Sequence, residues 1–104
     1  MTRKKLQKLY EEKVPWIFGF VGGELIKEEE IKNVEVTSII PLEDSYDNHY
    51  CQLDLCINDT SDILLYVTFN MCGLHIIGYN YNNGSEELKE IVDEVMYENS
   101  IKKL

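Results

Sequence analysis

Five soft side chains, His49, Cys51, Cys56, Cys72 and His75, are the metal-ligating candidates of this 104-residue chain. Cys72 and His75 enclose two residues, a gap compatible with half of a zinc knuckle. The sequence offers no second pair of that kind. Cys51 and Cys56 stand five apart in an alternating segment and so point to opposite faces of a strand. The cysteines therefore read as small core hydrophobes and His75 as an ordinary strand residue. Nucleophilic chemistry from Cys72 with His75, or from Ser45 with His49, needs a third orienting group and an oxyanion hole, and no spacing announces either. "GFVGGE" lacks both the Walker and the Rossmann spacing and reads as a hairpin turn. "LEDSYDNHY" holds Glu43, Asp44 and Asp47 without the ligand series or glycine of a calcium loop. No catalytic residue, metal or cofactor is assigned, and the chain is expected to bind rather than to catalyse.

The segment "SEELKEIVDEVMYEN", residues 85–99, carries a different kind of chemistry. At 100° per residue Leu88, Ile91, Val92, Val95 and Met96 form one apolar stripe. Glu86, Glu87, Glu90, Asp93, Glu94 and Glu98 cover the other side, with Tyr97 among them. The pairs 86–90, 90–94 and 94–98 are like-charged at i,i+4, each unfavourable by roughly 0.2–0.5 kcal/mol. Glu94 and Glu98 also lie towards the helix C-terminus, where the macrodipole prefers cations. Lysine at two or three of these positions would serve folding better. A basic partner would account for retaining the acids.

The chain-wide charge points the same way. The net charge is −9 and the pI about 4.6, which argues against direct binding to nucleic acid or to an anionic membrane surface. Residues 1–13 carry five basic and two acidic side chains, whereas residues 14–104 carry five basic and seventeen acidic. Between Lys32 and Lys89 there is no Lys or Arg, while Glu43, Asp44, Asp47, Asp54, Asp59 and Asp62 all fall there. A merely solvated surface mixes both signs; this one does not. Carboxylates spaced i,i+4 recur about every 6 Å along a helix, a dense anionic row of the sort a nucleic-acid backbone presents. Such a row can occupy the Lys/Arg groove of a nuclease or another nucleic-acid-binding effector, with Tyr46, Tyr50, Tyr79, Tyr81 and Tyr97 as candidate contacts.

The elements that must position these residues are expected within one α+β domain spanning 1–104. A first helix, capped by Thr2, carries Leu6, Leu9, Tyr10 and Lys13 and ends at Val14-Pro15, because a residue before proline is pushed from the helical region. "WIFGFVGGELIK" reads as a buried strand, a Gly22-Gly23 turn and a return strand, with Trp16 in the core. The acidic "KEEEIKN" is left between strand and helical turn. Val34, Val36, Ser38 and Ile40 alternate with Glu35, Thr37 and Ile39; Cys51, Leu53, Leu55 and Ile57 with Gln52, Asp54 and Cys56; Ile63, Leu65, Val67 and Phe69 with Leu64, Tyr66 and Thr68. "LHIIGY" follows, "NYNNGS" is expected to break the sheet, and the final helix begins at Ser85. The expectation is an antiparallel meander of four to five strands flanked by an N-terminal and a C-terminal helix.

Three cysteines and no secretory signal suggest a reducing cytoplasm. The apolar run "VPWIFGFV" is eight residues long, too short to span a bilayer. The expected function is that of a small acidic binding protein that inhibits a basic nucleic-acid-handling protein by steric block and charge mimicry. Its partner-binding residues are Glu86, Glu87, Glu90, Asp93, Glu94, Tyr97 and Glu98, joined by Glu43, Asp44 and Asp47. In surface chemistry, not in sequence, this resembles toxin immunity proteins and anti-defence inhibitors such as anti-CRISPR proteins. The alternatives are an acidic protein–protein adaptor or homodimer using "PWIFGF" as its interface, and a small ligand-binding protein or enzyme with its site near Cys72 and His75.

Overall fold

A computed structural model of the chain describes residues 3–42, 49–70 and 73–104. Helix α1 (Arg3–Ile26) is followed by strands β1 (Val34–Pro41), β2 (His49–Ile57), β3 (Ser61–Asn70) and β4 (Gly73–Asn83), and then by helix α2 (Glu86–Glu98). The strands form one antiparallel sheet in the order β1-β2-β3-β4. The fold is α+β, a four-stranded meander between two helices.

The strict alternation in the two central strands decides which face is buried. Cys51, Leu53, Leu55 and Ile57 of β2 and Ile63, Leu65, Val67 and Phe69 of β3 all lie on one face and are buried. Leu88, Val92, Val95 and Met96 of α2 close on that face, as do Val14, Ile17, Val21 and Leu25 of α1. Both helices therefore cover the same side of the sheet. On the other side Gln52, Asp54, Cys56, Leu64, Tyr66 and Thr68 are half-buried by one another, and no described helix covers them.

Helix α1 departs from the sequence expectation. It runs through Pro15, Gly19, Gly22 and Gly23 without a hairpin. Its buried residues are spaced three, four and four apart, one face of a helix. Burying four aliphatic side chains contributes about 1.5–3 kcal/mol each. Proline costs about 3 and each interior glycine about 1 kcal/mol, so burial prevails. Pro15 lies on the exposed side, where its ring stays clear of the packed core. Trp16, expected in the core, is 76 % exposed because it sits on the opposite side of the helix from Val14, Ile17 and Val21.

After α1 the chain turns through residues 27–30 rather than forming a strand. Asn58 fixes this turn: its Oδ1 accepts from Lys32 N at 2.7 Å and Asn33 N at 3.2 Å, and its Nδ2 donates to the Glu30 carbonyl at 2.8 Å. Asn58 and Asp59 are both left-handed, with φ of 54° and 59°, the backbone of a type I′ hairpin turn between β2 and β3.

Two strands differ in detail from expectation. A bulge at Thr37 in β1 reverses the alternation, so Val34, Val36 and Ile39 pack on the core while Ile40 is exposed. Strand β4 does not stop before "NYNN" but continues to Asn83, with register shifts opposite Asp62/Ile63 and Tyr66/Val67. Beyond α2 the chain returns beside β4, where Tyr79 N donates to the Lys102 carbonyl at 3.0 Å and Leu104 N donates to the Tyr79 carbonyl at 2.9 Å. Gly78 permits this approach, since a Cβ there would stand 2.6 Å from the Lys102 oxygen.

Candidate protein-binding face

Ser85 starts α2: its backbone is extended and its side-chain oxygen accepts from Leu88 N at 3.2 Å, an N-cap that leaves Glu86 and Glu87 in the first turn, where the helix dipole favours them. The other end is held by local carbonyl capping. Ser100 takes φ of 59°, its amide donates to the Tyr97 carbonyl at 3.1 Å, and Ile101 N donates to the Met96 carbonyl at 2.8 Å. This is a Schellman arrangement with buried Ile101 as its hydrophobic contact. No basic residue stands in the last turn of α2.

With both ends fixed and the apolar stripe on the sheet, the outward side of α2 presents Glu86, Glu87, Glu90, Glu94 and Glu98, all exposed. Tyr97 stands among them at 85 % exposure, so its ring makes little use of the fold. Among the described residues the ion pairing of this row is slight, with Glu86 3.6 Å from Lys89.

Asp93 behaves differently from its neighbours. It lies on the flank of the stripe, half-buried, and its Oδ1 accepts from Tyr79 Oη and from Tyr81 Oη, each at 2.5 Å. The two rings meet edge to face at 5.7 Å. Lys103 Nζ stands 3.8 Å from Asp93 Oδ2 and 5.1 Å from the Tyr81 ring centre, and Lys89 Nζ lies 5.5 Å from the same ring. Partial burial by itself would raise the Asp93 pKa. The hydrogen bonds from Tyr79 and Tyr81, with the charges of Lys103 and Lys89, outweigh it and hold the carboxyl below its ordinary value. The same contacts, with burial foremost, push both tyrosines well above theirs. The trio is thus a carboxylate held by two neutral phenols.

Asp93, Tyr79 and Tyr81, expected at a partner surface, clamp α2 onto β4. The sequence signal for this was present: two tyrosines on one face of a strand, and an aspartate at the border of the helical stripe, where a short side chain meets the sheet. Lys89 and Lys103 are drawn to that inner flank, and of the outer glutamates it is Glu86 that Lys89 also reaches.

The remaining expected residues divide by place. Glu43, Asp44 and Asp47, with Tyr46, lie outside the described residues, as does Cys72. Tyr50 is half-buried near the edge of the uncovered sheet face. Glu35, Asp54 and Asp62 belong to that face too, opposite the layer that carries α2. The acids of α2 and those of the uncovered sheet face therefore lie on opposite sides of the sheet, not in one patch. Cys51 is buried on the core face and Cys56 is half-buried on the other. Among the described residues no three His, Cys, Asp or Glu side chains are grouped to hold a metal ion. No helix of the described residues is long and apolar enough to cross a membrane.

No protein-family model, curated protein or solved structure matches this chain.

Proposed function

We propose that this protein acts by binding, with the outer face of α2 seated in the basic groove of a nucleic-acid-handling protein, which it inhibits by occupying the path of the nucleic acid. The observation that carries this is the row of exposed glutamates on α2 around the exposed Tyr97, whose i,i+4 members 86–90, 90–94 and 94–98 repel one another. A row of carboxylates attracts Lys and Arg, steers encounter and rejects acidic partners, while an aromatic ring supplies contact area at small entropic cost. Asp93, at the border of this face, also ties it to the sheet through Tyr79 and Tyr81. The protein itself does not bind nucleic acid, since the same row repels phosphate.

The test is capture of a partner from cells carrying the native genomic neighbourhood, repeated with a Glu90→Lys, Glu94→Lys, Glu98→Lys variant. The expected result is a basic partner retained by the wild type, lost by the variant and displaced by nucleic acid. Association should slow as salt rises, because screening shortens the reach of exposed charges to about 8 Å at physiological ionic strength. An acidic partner, or one held equally by both proteins, overturns the proposal.

A further inference from the structure

The outer face of α1 is apolar where a solvated helix would be polar: Trp16 is 76 % exposed, Phe20 48 % and Ile26 46 %. Gly19 and Gly23 lie on the same side, and a Cβ built on either would meet no atom within 4 Å. Large and small residues alternate there in the order Trp16, Gly19, Phe20, Gly23, which is complementary to itself when reversed. Two such helices placed antiparallel about the midpoint of Gly19 and Phe20 set Trp16 over Gly23 of the second copy and Phe20 over its Gly19.

The charges follow the same symmetry. In that register exposed Glu12 stands opposite exposed Lys27 of the second copy. The basic first turns, represented by exposed Lys4 and Lys8, fall beside the exposed Glu29 and Glu30 that follow the second copy's α1. A parallel pair would oppose like with like. A 24-residue helix is about 36 Å long, enough to run along most of the 41 Å axis of the molecule.

We propose that the occupant of this face is a second copy of the chain, in a two-fold antiparallel α1–α1 dimer with Trp16 and Phe20 as its anchors. An anionic membrane fits less well, because the face carries Glu12 and the adjoining Glu29 and Glu30 alongside its lysines. The acidic side of α2 takes no part, so this proposal and the one for α2 stand or fall separately.

Sedimentation of the full chain over a concentration series up to about 0.1 mM, far above a micromolar Kd, provides the test. The expected mass is twice the 12.2 kDa of one chain. Gly19→Gln with Gly23→Gln has room in the single chain and should leave its circular dichroism intact while weakening association at least tenfold. Glu12→Lys alone and Lys27→Glu alone should each weaken it, and the two together should restore it. A monomer at every concentration overturns the proposal; Trp16 emission with anionic vesicles then reports whether a membrane takes the face. A dimer indifferent to the glycine variants, or a double charge variant no tighter than the single ones, overturns the antiparallel arrangement.

Discussion

Tyr81 on β4 donates its hydroxyl to Asp93 on α2 at 2.5 Å, and Tyr79 donates to the same oxygen. The last helix is thereby fastened to the sheet by a charge, not by its apolar stripe alone. Hydrogen bonds to charged groups contribute about 1.5–3 kcal/mol, and their loss here leaves the buried Tyr79 phenol without this acceptor, while Tyr81 Oη keeps the Lys89 carbonyl at 2.8 Å. Asp93→Ala should therefore lower stability by about 2–3 kcal/mol, and Asp93→Asn, which keeps one acceptor oxygen, by about 1 kcal/mol.

The pH dependence of that difference has a definite sign. The folded-state pKa of Asp93 lies below its ordinary 3.8, so the stability it contributes is complete above that value and is lost as pH falls through the folded one. Chemical denaturation of wild type and Asp93→Ala from pH 7 downward should show a gap constant to about pH 5 that closes in stronger acid. A gap independent of pH would show that the clamp does not need the carboxylate.

Pro15→Ala should stabilise the protein, by about 1–3 kcal/mol, because an exposed position inside a continuous helix regains a backbone hydrogen bond and loses a ring clash. Thermal melts with far-ultraviolet circular dichroism read both the gain and the helix content. A loss of stability would mean that the chain breaks at this proline.

Glu94→Lys converts two repulsive i,i+4 pairs, with Glu90 and with Glu98, into attractive ones and puts a cation in the C-terminal half of α2. The expected gain is about 0.5–1 kcal/mol at low salt, shrinking as salt rises. Equal stability at low salt would indicate that the glutamates are already compensated.

Cys51 is buried on the core face, and burial pushes its thiol up to about 12. With Cys56 and Cys72 replaced by Ser, Cys51 should resist a disulfide reagent at pH 8 except at the rate of unfolding. Prompt labelling would place it at the surface.

The strands β2 and β3 and the stripe of α2 were legible because an unbroken period of 2 or 3.6 is enforced by one-sided burial. Helix α1 was not, since Pro15 and its three glycines are local signals that oppose helix, while the burial of Val14, Ile17, Val21 and Leu25 that overrides them depends on β1 and α2. The bulge at Thr37 left no mark in a run of β-branched residues. The acidic face of α2 could be read from composition and spacing. The clamp on Asp93 left only a partial trace, two tyrosines on one strand face and an aspartate at the border of the stripe, because nothing local fixes which turn of α2 lies over Tyr79 and Tyr81.

The meander order β1-β2-β3-β4 bears on how quickly this protein can find its structure. Each strand pairs with its neighbour in the chain, so every hairpin closes a short loop at small entropic cost. Each strand has its partner next to it in sequence, and α1 and α2 pack together over the finished sheet. Such local wiring favours rapid refolding, within about milliseconds by the general relation between contact separation and rate. Stopped-flow refolding that took minutes would mean that a slower event than strand pairing sets the pace.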